Sequence, residues 1–210
     1  MPTATVHPKV PPEPPGPLTK RAGDVLAIRP LLWRLHRSGG AHVIGWSELR
    51  RLGPLPSMRF DPHPPPLGDS AEGVMCAATD VATALAEVFQ ATRLIDTDSF
   101  GPVLTAWQPS RTLRLLDLGG GWPLRNGAAH ALTAAKRSTC RAWARAIRST
   151  WPDLDGLRSL STMTGKPVVV LFSPAADSFP GLPAFSRPLG HPALRLLAES
   201  VASELGYRVL

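Results

Sequence analysis

Four polar residues sit beside apolar sequence where a folded domain does not require them. Arg34 lies in Leu31-Leu32-Trp33-Arg34-Leu35-His36, Arg59 in Met58-Arg59-Phe60-Asp61-Pro62 and Glu87 in Ala84-Leu85-Ala86-Glu87-Val88-Phe89; Ser161 follows Asp155-Gly156-Leu157-Arg158-Ser159-Leu160. The planar fork of arginine holds phosphate oxygens two at a time and stays charged at every relevant pH. A carboxylate stabilises positive charge that builds as a bond breaks. A serine to which no His–Asp relay can be assigned is a hydrogen-bond donor rather than a nucleophile. Taken singly, each has a plain structural reading: strand-edge charge, loop salt bridge, solvated helix residue, turn former. The sequence has no G-x-G-x-x-G, no P-loop and no G-x-S-x-G. Gly119-Gly120-Gly121 offers backbone N–H groups, but no helix start with Lys and Ser/Thr follows, and a turn is the expectation.

The elements that must position these residues are short. Val74–Ala78, Pro102–Trp107, Leu113–Leu118 and Val168–Phe172 read as strands; the last, continuous and rich in valine, suits a strand covered on both faces. A helix is expected over Asp80–Thr92, capped by Thr79 or Asp80, with Val81, Leu85, Val88 and Phe89 on its apolar side and Glu87 off it among small neighbours. A second is expected over Ala128–Arg148. It has an apolar face of Leu132, Cys140, Trp143 and Ile147 and a basic stripe of Arg137, Arg141, Arg145 and Arg148. A third spans Pro192–Leu205 and stops at Gly206, with a last short strand over Tyr207–Leu210. Strands and helices mix without strict alternation, which predicts an α+β fold. Residues 1–20 hold seven prolines and read as an extended arm on the surface, leaving 21–210 as one domain; a second cluster, Pro62 and Pro64–Pro66, marks a loop ending at Gly73.

Composition narrows the function classes. The chain has 210 residues, 43% of them hydrophobic, enough for one sizeable core. No apolar run reaches the roughly 18 residues of a membrane span, and the Pro-rich start has no continuous apolar stretch, so neither a membrane association nor a secretory leader is expected. Two cysteines, Cys76 and Cys140, and six scattered histidines give no metal-ligand spacing; no metal and no disulfide framework are expected, and the cytoplasm is the expected compartment. The net charge of +7 admits nucleic acid, an acidic protein or an anionic small molecule as partner. Aromatic interleaving along the Arg137–Arg148 stripe is poor, so direct nucleic-acid binding is not expected; an exposed helix face or a docking face for an acidic segment are the other readings.

Together the segments carry more than they do singly. The order W-R-L-H-R, M-R-F-D-P, G-V-M-C-A-A-x-D-x-A-T-A-L-A-E-V-F, L-D-G-L-R-S-L-S and V-V-V-L-F resembles the RES-domain family, over roughly residues 31–210. The resemblance implies an ADP-ribosyltransferase-like α+β fold with mixed, mostly antiparallel sheets and flanking helices. It also implies a toxin of a toxin–antitoxin pair that degrades NAD or transfers ADP-ribose from it, with a separate antitoxin protein as partner. Carried over residue by residue, Arg34 and Arg59 match the family's arginines, Glu87 its glutamate and Ser161 its serine. Two places depart: Cys76 stands where a tyrosine is usual eleven residues before the glutamate, and Ser159 where one is usual two residues before the serine.

What the resemblance implies suits these residue types. NAD, here a substrate, presents a doubly charged pyrophosphate for Arg34 and Arg59. Its nicotinamide leaves through an oxocarbenium-like state, beside which Glu87 supplies negative charge. Ser161 would orient the ribose or the amide. With the tyrosines gone, the ring falls to Phe60, Trp33 or Trp46, with Cys76 beside it. The acceptor is left open among water (a glycohydrolase), phosphate (a phosphorylase) and a protein side chain (an ADP-ribosyltransferase). Outside enzymes, a catalytically weakened binding or regulatory domain, or a basic nucleic-acid-binding protein, is the alternative. Self-association is left open.

Overall fold

The computed structural model describes residues 8–210. After a 3-10 turn at Ala22–Asp24, the chain runs through β1 (Val25–Ile28), β2 (Leu32–Arg37), β3 (Arg50–Gly53), β4 (Gly68–Ala78), helix α1 (Val81–Phe89), β5 (Leu94–Ile95), β6 (Pro102–Trp107) and β7 (Leu113–Asp117). It continues through the short α2 (Trp122–Arg125), a 3-10 turn (His130–Ala134), α3 (Arg137–Thr150), β8 (Gly156–Leu160), β9 (Pro167–Phe172), a 3-10 turn (Ser173–Ser178), β10 (Phe185–Pro188), α4 (Pro192–Leu205) and β11 (Arg208–Val209).

Nine strands form one sheet in the order β1-β7-β8-β9-β4-β2-β6-β10, with β3 paired to β4 off that path. Only β7 and β8 run parallel within it, so the sheet is mostly antiparallel and the class is α+β, as the sequence predicts. β11 and β5 form a separate parallel pair. Each face of the large sheet is covered. Val74, Leu116, Leu157, Val170 and Phe172 pack against Cys140, Trp143 and Ile147 of α3. Met75, Val169, Leu171, Leu115 and Trp107 form a second core. Leu85 of α1 and Leu194, Ala198 and Val201 of α4 close a third around Leu104.

One irregularity matters for function. β2 and β4 meet at a single register pair, Trp33↔Ala78, while β2 pairs with β6 along its whole length and β4 pairs with β9. At that junction the sheet opens. α1 follows β4 directly, fixed by Asp80, whose carboxylate accepts from the Thr83 amide at 2.9 Å and the Thr83 hydroxyl at 2.8 Å.

The expected second helix is broken. Ala135 and Lys136 are extended, and α3 starts at Arg137. At the break the Ala135 carbonyl accepts from Arg59 Nη1 at 2.6 Å and from Cys140 Sγ at 3.5 Å instead of continuing a helix ladder. The loop expected to end at Gly73 ends earlier, because β4 begins at Gly68. Gly73 sits within the strand, where a Cβ would lie 2.6 Å from Leu49 Cβ. α4 has the expected bounds; Gly206 ends it with φ 68°.

The described part of the Pro-rich arm is tied to the domain. Trp143 Nε1 donates to Pro11 O at 3.0 Å and Trp122 Nε1 to Thr19 O at 2.9 Å; Val10 and Leu18 pack on the core beneath. Removing residues 1–20 strands two buried indole N–H groups, each costing about 1 kcal/mol or more. We expect the melting temperature of the truncated chain to fall by roughly 5–10 °C; an unchanged melting temperature would show the arm to be dispensable.

Candidate functional site

The split between β2 and β4 holds a cavity of about 540 Å³, within the range that takes small organic ligands. Five elements and one connecting segment build it. β2 supplies Trp33, Arg34, Leu35 and Arg37; the segment after β3 supplies Met58, Arg59 and Phe60. α1 contributes Glu87 and Gln90, and β4, β8 and β9 form a wall of Cys76, Ser159, Val168 and Val170. Arg59 and Glu87, 28 positions apart by number, therefore share one hollow. A second hollow of about 400 Å³, between the arm and α3, is more open; it holds Arg145 of the basic stripe and none of Arg34, Arg59, Glu87 and Ser161.

Glu87 is half-buried, and its carboxylate is positioned. Ser161 Oγ donates to Glu87 Oε1 at 2.6 Å, while the same oxygen accepts from the amides of Met163 at 3.1 Å and Thr164 at 3.2 Å. Two N–H groups occupy the lone pairs of Ser161, so its hydrogen can only go to Glu87. Thr83 Oγ1 and Thr164 Oγ1, 2.9 Å apart, tie the same turn to α1 a second time. Ser161 is buried and lies behind Glu87, outside the cavity wall. Gln90 Nε2 reaches the other oxygen, Oε2, at 3.4 Å.

The two arginines are anchored by backbone carbonyls. Arg34 Nη1 donates to Gly45 O, Trp46 O and Glu48 O at 3.0, 3.0 and 3.1 Å. Its Nε and Nη2 have no partner among the described residues. Burial lowers its guanidinium to about 10, which leaves it charged at neutral pH. Arg59 Nη1 takes the Ala135 carbonyl, and Nη2 reaches Thr162 Oγ1 at 3.5 Å. With Arg37 and Arg137 also lining it, the cavity has four arginines and one carboxylate on its walls. That balance suits an anionic ligand with one site of developing positive charge.

Phe60 is buried in the core and lines the cavity, as does Trp33. Trp46 does not: it packs tilted against Trp107 and edge-on against Phe179 at centroid distances of 6.0 and 5.9 Å. The single tyrosine, Tyr207, packs behind α1 and donates to Ala86 O at 3.4 Å. Cys76 is open to water yet enclosed by protein, and burial pushes its thiol up to about 11. Both facts describe the wall of a cavity, and a neutral thiol there is a poor nucleophile.

Four contributors to the cavity were not among the site residues that the sequence pointed to. Asp61 is buried beneath Phe60, where it accepts from Arg50 Nη2 at 2.8 Å, Leu55 N at 2.9 Å and His63 Nδ1 at 2.5 Å. It thereby sets the Arg59–Phe60 segment. Arg137 and Gln90 join across the mouth at 3.3 Å. Ser159 is 1% exposed, and its Oγ has no partner. Asp61 was visible as the D-P of M-R-F-D-P, Arg137 as part of the basic stripe and Ser159 as the place of an absent tyrosine; Gln90 carries no sequence signal.

The basic stripe on α3 is largely used internally. Arg148 forms a two-pronged pair with Glu72, and Arg141 donates to the carbonyls of Pro56 and Met58. The Gly119–Gly121 run is a turn held by Asp117, which accepts from Gly119 N at 3.0 Å. Among the described residues no group of three His, Cys, Asp or Glu could hold a metal ion, and no helix is long and apolar enough to cross a membrane.

Comparison with known proteins bears on the family and the fold. The family model described as RES domain matches residues 31–189. One chain of the crystal structure of the M. tuberculosis MbcT–MbcA toxin–antitoxin complex superposes with a TM-score of 0.57 at 14% identity, over 85% of this chain and 92% of that one. At that identity the likeness is one of fold. No curated protein matches.

Proposed function

Because the chain belongs to the RES domain family, we propose that it is an NAD-consuming enzyme that breaks the nicotinamide–ribose bond and serves as the toxin of a toxin–antitoxin pair. The observation that carries this reading is the Glu87 carboxylate, fixed by Ser161 at 2.6 Å, on the wall of the cavity that Arg34 and Arg59 also line.

In this reading Arg34 and Arg59 hold the pyrophosphate, and Glu87 lies against the nicotinamide ribose. The C1′–N bond breaks with its electron pair moving to the pyridinium nitrogen, so nicotinamide leaves neutral and positive charge spreads over C1′ and the ring oxygen. Glu87 stabilises that charge without first moving a proton. Ser161 is a positioning residue: it aims the carboxylate rather than touching substrate. An acceptor oxygen then bonds to C1′ and gives up its proton. The arginines at the mouth favour inorganic phosphate as that acceptor, and the same basic rim suits an acidic segment of an antitoxin.

Incubating the purified protein with NAD, with and without phosphate, tests the reading. We expect free nicotinamide, accompanied by ADP-ribose from water or by its 1″-phosphate when phosphate is present. Label appearing on protein instead would make it a transferase, and intact NAD in both arms would refute the reading. Ser161→Ala, which frees one oxygen of Glu87, is expected to lower kcat about tenfold with KM little changed.

A further inference from the structure

Three buried polar side-chain atoms in the described residues have no hydrogen-bond partner: His36 Nδ1, Trp107 Nε1 and Ser159 Oγ. The first two belong to residues outside the cavity wall: His36 pairs through its other nitrogen with Thr105 at 3.1 Å, and Trp107 lies in the aromatic cluster with Trp46 and Phe179. Ser159 lines the cavity. A buried hydroxyl left unpaired is unfavourable, and native structures keep such groups where something else completes them.

Its surroundings limit what that partner can be. Ser159 stands opposite Val168 in the β8–β9 register, and Val168, Val170, Ala78, Ala84 and Leu160 line the space with it. This stretch of the wall is mostly apolar and Ser159 carries its one hydroxyl; the other hydroxyl residues of the cavity, Ser57 and Thr162, belong to other segments. This suits a flat heteroaromatic ring bearing a single hydrogen-bonding substituent. The spacing agrees. Ser159, in β8, precedes Ser161, just past the end of that strand, by two residues, at most about 6.6 Å along the chain, and Ser161 holds Glu87 where the proposed reaction places C1′. A ring leaving that carbon reaches one strand step deeper, with its substituent at Ser159. The Cys76 thiol on the same wall is neutral and a weak hydrogen-bonding group, so it does not substitute for the hydroxyl.

Resting on the NAD-cleaving reading, we infer that Ser159 Oγ hydrogen-bonds the carboxamide of the nicotinamide leaving group and makes the enzyme selective for pyridine rings that carry such a group. The hydroxyl contacts substrate, and its loss falls on that one contact.

The test compares kcat/KM for NAD and for its analogue with unsubstituted pyridine in place of nicotinamide, in the wild type, Ser159→Ala and Ser159→Thr. The intrinsic difference in leaving ability between the two rings is common to all three proteins and cancels. The expected result is that Ser159→Ala lowers the NAD-to-analogue ratio roughly tenfold, entirely through loss on NAD, and that Ser159→Thr restores it. Binding of nicotinamide alone should weaken by a similar factor in Ser159→Ala, and binding of pyridine should not change. An unchanged ratio, or an equal loss on both substrates, overturns the inference while leaving the NAD reading standing. A wild type that consumes neither dinucleotide overturns both.

Discussion

Glu87→Gln is expected to slow NAD cleavage about 100- to 1,000-fold, the usual loss when one preorganised electrostatic stabiliser is removed. The substitution preserves shape, and the amide oxygen can still accept from Ser161 as Oε1 does at 2.6 Å. What disappears is the negative charge facing the ribose as its bond to nicotinamide stretches. The substrate itself carries little positive charge at that carbon, so affinity for NAD should hold or improve while kcat falls. Nicotinamide release under saturating NAD, with NAD affinity measured separately, separates the two effects. Equal losses in affinity and turnover would mean that Glu87 only shapes the cavity.

The largest expected effect on stability lies beneath the site. Asp61 is 1% exposed and accepts from Arg50, Leu55 and both the backbone and the ring of His63. Asp61→Ala leaves a largely buried guanidinium and several N–H groups without an acceptor, which costs about 3–5 kcal/mol. For a chain of this size the melting temperature should fall by roughly 10 °C. The same group predicts a pH dependence. Burial alone would raise the Asp61 pKa, but donation from Leu55 and His63 and the charge of Arg50 outweigh it and hold the group below its ordinary 3.8. A carboxylate with a lowered folded-state pKa contributes stability that is fully present above the ordinary value and is lost as pH falls through the lowered one. Denaturant unfolding followed below about pH 4 should therefore drop more steeply for the wild type than for Asp61→Asn. Parallel curves would assign the acid sensitivity to other carboxylates.

The parts of the fold that the sequence made visible are those in which local pattern and burial agree. Val168–Phe172 is a valine-rich run and forms most of β9. Pro192 and Gly206 bracket α4, and Asp80 caps α1. Strands with mixed or exposed faces stayed hidden: β2 carries Arg34, His36 and Arg37, and β8 alternates Leu157, Ser159 with Arg158, Leu160 over only five residues. Their identity comes from neighbours in the sheet, not from their own pattern. The break before α3 could not be read locally either, since its cause is Arg59, 76 positions away from Ala135.

The candidate site divides the same way. Residue types and their order pointed to Arg34, Arg59, Glu87 and Ser161, and to Cys76 and Phe60 beside them. The sequence could not show what each side chain does with its hydrogen bonds. Ser161 reads as a ligand-facing hydroxyl, yet its hydrogen goes to Glu87 across 74 positions. Ser159 reads only as the place of an absent tyrosine, and the fold reveals that its hydroxyl is buried without a partner in a residue that lines a ligand-sized hollow.

The central claim is that one dinucleotide occupies the opening between β2 and β4, with its reacting carbon against position 87. A crystal structure of the Glu87→Gln variant with NAD addresses it directly, because the variant should bind without turning over. The account predicts pyrophosphate oxygens on Arg34 and Arg59, the nicotinamide ribose beside the substituted side chain, and the ring against Val168, Val170 and Ser159. A dinucleotide bound elsewhere, or this cavity left empty at saturating NAD, would contradict it.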